Sequence, residues 1–518
     1  ISGLGNLILA DVGGTATFNA NIAAAAFTTN NTVASINLKG ASNTFTGSTI
    51  FANDGTLTIG DASSDSFAFN GGLSTTSVGG TVTLNASSIS SSNDAIAFGA
   101  VTLGSNVTID TNATSTAGDI NIGAVTGGSN TLTLSTGNNI ANSDVTASGA
   151  ISGVTTLTLI DVGGIASFAA DVDVTTLTIG NTVANVSLTG SGSSVTNAVT
   201  FGNDGTLTIG DASGDSFTFD GGLTVSTASS TLAGSIDSSN DVITFGAITL
   251  AAATTLDTNA TDTTGDIIIG AVTGANNNLT LDTTTTTGSA DHTFTGDINL
   301  GSGALSVTGD VVLGANVTVT TTKSSGTGIV FNDAINADNA TNNDRTLTID
   351  AGTGSNVFVI GNVGASQPLA GLTVAQSNGI GFFGNVDVTD SNSGTITLTD
   401  TQDNVLIIFG SGNVTADNFV TAAQGYALRL LGNATFANAV TFQNTGTLEL
   451  GDATSDTFTF NGGVTESTGG TVTIDGAIVS SNDAISFGNI NLGQNLSVTS
   501  AGGAITIGTI SAASGSRD

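Results

Sequence analysis

Three stretches of the chain bring the same acidic and aromatic residues to the same spacing: GDASSDSFAFNGG (Gly60 to Gly72), GDASGDSFTFDGG (Gly210 to Gly222) and GDATSDTFTFNGG (Gly451 to Gly463). Each holds an Asp-x3-Asp pair: Asp61 with Asp65, Asp211 with Asp215, and Asp452 with Asp456. Carboxylates so spaced in a turn suit calcium, which takes roughly six to eight oxygens from carboxylates, carbonyls and water. Asp94, Asp241 and Asp483 recur in SSND turns further along and would add oxygens if they stacked nearby. The same carboxylates have a second use, because Asp in a turn hydrogen-bonds its own backbone. Neither the EF-hand loop nor the glycine-rich calcium-solenoid nonapeptide occurs. The turn reading is preferred, and the three pairs stand as calcium candidates; no cofactor is required.

Other chemistry has less material. His292, in ADHTF, is the single histidine and Cys is absent, so a zinc site cannot be completed. No P-loop occurs, nor a strand–GxGxxG–helix unit. Asp residues could supply the two carboxylates of a glycoside hydrolase. Trp is absent, however, Tyr426 is the lone tyrosine, and the Phe residues sit in strand patterns that read as core. Lyase chemistry on acidic sugars needs clustered cations, and the chain has only Lys39, Lys323, Arg345, Arg429 and Arg517. No enzymatic role is expected, and a polysaccharide-acting enzyme is the minor alternative.

The elements that position these residues follow from composition. With 71 Gly, 9% charged residues and abundant Thr, Val, Ile and Phe, the chain has a β composition able to bury a core. Forty acidic residues give a net charge of −35, which excludes a phosphate backbone as partner and disfavours an anionic membrane surface. No apolar run approaches the roughly 18 residues of a membrane helix; VLIIF (Val405 to Phe409) is strand-sized. The lack of Cys fits export through an oxidising compartment, and equally descent from a Cys-free repeat.

Internal repetition organises the rest. The triplet hydrophobic–Thr–hydrophobic recurs at Leu57–Ile59, Val82–Leu84, Val107–Ile109, Leu132–Leu134 and Leu157–Leu159, each step 25 residues. Short β runs separated by Gly, Asn, Asp and Ser turns at this period predict coils of a β-solenoid. ILADVGG (Ile8 to Gly14) returns as TLIDVGG (Thr158 to Gly164), and TVASINLKG (Thr32 to Gly40) as TVANVSLTG (Thr182 to Gly190), both 150 residues on. The expected organisation is three super-repeats, 1–150, 151–297 and 298–518, each of about six coils. The third carries about four extra coils, roughly 323–432, a whole-coil insertion that a solenoid accepts without breaking its stack. Most of the chain's rare residues, including Lys323, Arg345, Pro368, Tyr426 and Arg429, fall in this insertion. It is read as a divergent repeat, with partner-contacting loops as the other use.

Tandem GTLTIGD, NAVTF, GDINIGAVTG and VSLTG segments resemble the passengers of large bacterial surface proteins. These are the autotransporter and filamentous-haemagglutinin-like adhesins, including rickettsial outer-membrane-protein-B-like antigens. The resemblance spans essentially the whole chain. It implies an all-β, right-handed parallel β-helix, about 21 coils of roughly 25 residues here. It also implies export to the bacterial surface and a role in a coat or in adhesion. The family's membrane barrel and secretion domain are not in this sequence, and no adhesive residue carries over. The expected role is structural: a stalk, coat or fibre, continuing into further repeats or self-associating end to end. An adhesin passenger for a host or neighbouring-cell ligand is the first alternative.

Overall fold

Alternation decides the wall of the molecule. In many of the short strands buried side chains alternate with half-exposed ones, as in Leu57–Ile59 and Val82–Leu84, where the first and third are buried. A computed structural model describes residues 1–512 other than 116–117, 138–139, 227–228, 284–289, 339–344, 391–392, 400 and 468. The described residues form short β-strands with no α-helix, and all named pairings are parallel. The chain is a β-solenoid of about 21 coils. It divides into two compact units, Ile1–Ala247 and Ile248–Asp518, a division distinct from the sequence super-repeats.

In the first unit each coil contributes to three ladders, here called walls one, two and three. Wall one runs Leu57↔Val82↔Val101↔Val125 inside and Thr58↔Thr83↔Thr102↔Thr126 outside. Wall two stacks Phe67↔Ile89↔Ile109, followed by Leu134. Wall three stacks Leu73↔Ile96↔Ile120↔Val145. Every strand thereby gives its backbone donors and acceptors to the coils on either side at about 4.8 Å. The apolar rows close inward; Phe45 and Phe69 stack with centroids 5.1 Å apart and planes 7° apart. A buried Phe contributes roughly 1.5–3 kcal/mol by area alone, so the coils cohere mainly through these rows.

The coil is not a fixed 25 residues. Leu57 does pair with Val82, and Val107 with Leu132. Val82, however, meets Val101, while Val107–Asp110 belongs to wall two and pairs with Ser88–Ser90. All three walls bury alternate residues, so the triplet pattern cannot tell one wall from another. The 150-residue displacement is likewise not a whole number of coils. Six steps carry wall one from Leu57–Ile59 to Gly192–Val195, and the second strand after that is Thr206–Ile209, on wall three. The second copy of the acidic segment therefore sits at a different corner of the coil from the first.

The second unit has its own three ladders. The third acidic segment joins Leu448–Leu450, Thr457–Phe460 and Val464–Glu466, one strand in each. Through the divergent region one ladder advances without a break from Thr327–Phe331 through Asn356–Val359, Ile380–Phe382 and Leu406–Phe409 to Ala427–Leu430.

Candidate functional site

The three acidic segments fold alike. Gly60, Gly210 and Gly451 end the first strand at φ of +88°, +76° and +84°. A Cβ at Gly60 would lie 2.2 Å from the Asn85 carbonyl oxygen of the next coil, so the corner needs glycine on both counts. The chain then turns back on the second Asp. Asp65 Oδ2 accepts the backbone N–H of Asp61 at 2.9 Å and of Ala62 at 3.1 Å. Asp215 and Asp456 repeat this at 2.9 and 3.0 Å, and at 3.0 and 2.9 Å. These three residues are 3%, 8% and 9% exposed, each buried beneath its own turn. Their carbonyls bind the coil above, as when Ser87 donates both its N–H and its Oγ–H to Asp65 at 2.9 Å.

The first Asp of each pair is exposed. Asp61 meets Lys39 at 3.8 Å; Thr189 stands at the matching place in the second copy. The SSND carboxylates do not join this corner. Asp94, Asp241 and Asp483 lie over Gly72, Gly222 and Gly463, at the far end of the segment. There Ser91, Ser238 and Ser480 bond the Asp94, Asp241 and Asp483 carbonyls, the last two at 2.5 and 2.7 Å. Among the described residues, no group of three or more His, Cys, Asp or Glu is placed to hold a metal. A calcium ion at the Asp61 turn would have Asp65 Oδ1 and the Asp61 carboxylate, and would draw its other oxygens from carbonyls and water.

The rare residues of the divergent region are largely used internally. Arg345 grips Asp338 with Nε and Nη2 at 3.0 and 2.7 Å. Arg429 lies in register with Glu449 on the next coil, and the two pair at 2.8 Å. Tyr426 is fully buried; its hydroxyl accepts from Ala422 N–H at 3.1 Å and donates to the Leu398 carbonyl at 3.3 Å. Arg517 lies outside the described residues.

The same region carries a surface that the sequence reading missed. Elsewhere the outward row is mostly Thr, Ser or Asn, but here it runs Val330↔Phe358↔Gly381↔Ile408 before reaching Arg429 and Glu449. Gly381 leaves a notch, and the ring of Phe383, 46% exposed, leans over it; a Cβ there would lie 2.6 Å from Phe383 Cζ. The Phe358 and Phe383 rings are 6.5 Å apart with planes 20° apart. They border an apolar depression of about 310 Å³, with Asn356 and Asn378 at its rim. So two phenylalanines assigned to the core by pattern face outward. The signal was present in NVFV, GIGFF and VLIIF, where both alternating positions are apolar and none is the usual Thr.

Comparison of the chain with protein-family models, with curated proteins and with solved structures found no match.

Proposed function

We propose that the chain is a structural segment of a bacterial cell-surface protein, a stalk, coat or fibre without catalytic function. The observation that supports this reading is the use made of the acidic segment. Its buried carboxylate holds its own turn, its phenylalanines fill the core, and its carbonyl ties down the next coil. A coil that offers its backbone edge to the next coil can add further repeats, or copies of itself, by the same pairing. The net charge of −35 makes lateral packing of such segments dependent on salt or divalent cations. Electron microscopy of the isolated protein tests this reading. Filaments or end-joined particles, more abundant in added salt, support it; dispersed single particles at all ionic strengths count against self-assembly.

The outward aromatic depression favours a second reading, an adhesive contact. Phe358 and Phe383 line the depression together with Asn356 and Asn378, a combination of aromatic rings and amides suited to a neutral sugar ring. A neutral glycan array, probed with the intact protein and with Phe383→Ser, distinguishes the readings. Binding lost in the variant supports adhesion, and absence of binding leaves the structural role alone.

A further inference from the structure

Asp291 and His292 are neighbours on one strand, Asp291–Phe294, and point to opposite sides of the wall. His292 points inward and is wholly buried, in register between Ile267 and Val311. Its Nε2 lies 2.9 Å from the Thr308 carbonyl, which can only accept, and 3.2 Å from Thr283 Oγ1. The Thr283 hydroxyl hydrogen goes to the Ala290 carbonyl at 3.0 Å, so Thr283 accepts from the ring as well. Nε2 therefore carries the proton, and Nδ1 is bare, buried and without a partner among the described residues. Gly309 makes room for the ring; a Cβ there would lie 2.9 Å from Nε2. A second proton on Nδ1 would be a buried charge with no acceptor.

Asp291 faces outward and is half-buried. It is in register with Asp310 on the next coil, and its backbone N–H donates to Asp266 Oδ1 of the preceding coil at 2.9 Å. Asp310 and Asp333 accept backbone N–H groups from Ala334 and Gly309, at 3.0 and 2.8 Å. The charged groups bearing on this strand are thus Asp266, Asp282, Asp310 and Asp333.

We propose that Asp291 and His292 form a compensating proton couple, in which acid that would unseat this coil by charging the buried imidazole is offset by protonation of Asp291 between its stacked carboxylates. Burial lowers the His292 pKa below 6.5, against a smaller raising effect of the Thr308 bond and the nearby carboxylates. Once the coil opens, the imidazole takes a proton below pH 6.5, so opening is favoured about tenfold per pH unit as pH falls. Asp291 works the other way. Burial first, then Asp266 and Asp310, push its carboxyl up to about 6. The closed coil therefore holds a proton that the open coil releases, and closing is favoured about tenfold per unit from pH 6 toward 4. The two slopes oppose each other below pH 6 for as long as the buried imidazole stays neutral.

Hydrogen exchange followed by mass spectrometry on the intact chain, corrected for intrinsic rates from pH 7.5 to 4.5, tests the couple at Asp291–Phe294 against Thr457–Phe460 as reference. Wild type is expected to hold its protection within about threefold. Asp291→Asn, which keeps the shape, is expected to lose protection about tenfold per unit below pH 6.5. His292→Val, which copies Val311 in the same column, is expected to gain protection over the range where Asp291 titrates. A wild-type slope that persists in Asp291→Asn overturns the proposal by itself, as do two variants with slopes of the same sign.

Discussion

Replacing Asp65 by Ala separates the turn role of the acidic segment from a calcium role. The Asp65 carboxylate accepts two backbone bonds, at 2.9 and 3.1 Å, while only 3% exposed. Hydrogen bonds to a charged group contribute about 1.5–3 kcal/mol each. The freed Asp61 and Ala62 amides lie at an exposed turn and recover part of that from water, so the expected cost is about 2–4 kcal/mol. Asp65→Asn keeps one acceptor oxygen without the charge and should cost about half as much. Asp61→Ala loses only a half-exposed pair at 3.8 Å and should cost a few tenths of a kcal/mol. A chain of stacked coils need not unfold in one step, so the assay is exchange protection of the strand Ser66–Phe69, read as a local opening free energy. A loss of roughly 30-fold or more for Asp65→Ala, against less than about threefold for Asp61→Ala, is expected with or without chelator. Equal losses from both substitutions, vanishing in chelator, would refute the turn reading and establish calcium.

Glycine substitutions should divide by position: Gly60→Ala, at φ +88° with its Cβ 2.2 Å from a carbonyl oxygen, is expected to cost more than about 3 kcal/mol. Gly214→Ala, with nothing within 4 Å, should leave the melting temperature unchanged, and circular dichroism melts check both. Tyr426→Phe removes two hydrogen bonds from a buried hydroxyl and should lower local stability by about 1–3 kcal/mol, measured by exchange in Ala427–Leu430. Burial raises the Asp237 pKa, with the Ser235 bond opposing it, so its stability contribution is full at low pH and is lost as pH rises through the folded-state value. Asp237→Asn should therefore gain protection in Ser229–Asp237 at pH 7 relative to wild type and flatten its pH profile.

The inward half of the fold was legible residue by residue. Leu57, Ile59, Phe67 and Phe69 alternate with small polar residues, and the alternation alone places them in the core. The pairing of Leu57 with Val82 was equally legible. Which wall a strand belongs to was not, because Val82–Leu84 and Val107–Ile109 carry the same pattern on different walls. Turn length alone decides it, and the turns between them are built from Asn, Ser and Gly without a distinctive count. At the acidic segment the spacing fixed Asp61 and Asp65 in one turn. It did not say that the second carboxylate would point back at the amides of the first. Phe358 was misplaced because the apolar run Val357–Val359 loses the alternation that tells inside from outside, and Phe383 because it directly follows the strand Ile380–Phe382.

Within the first unit three ladders run from coil to coil, and the second copy of the acidic segment sits at a different corner of the coil from the first. The chain has no cysteine, so pairs introduced on outward threonines can be spin-labelled without background. Thr83 pairs with Thr102 on wall one, while Thr108 sits on wall two. Labels at Thr83 and Thr102 should show the strong dipolar broadening of neighbours about 4.8 Å apart along a ladder, and labels at Thr83 and Thr108 should not. Broadening for Thr83 with Thr108 and none for Thr83 with Thr102 would mean a single 25-residue ladder and would contradict the account.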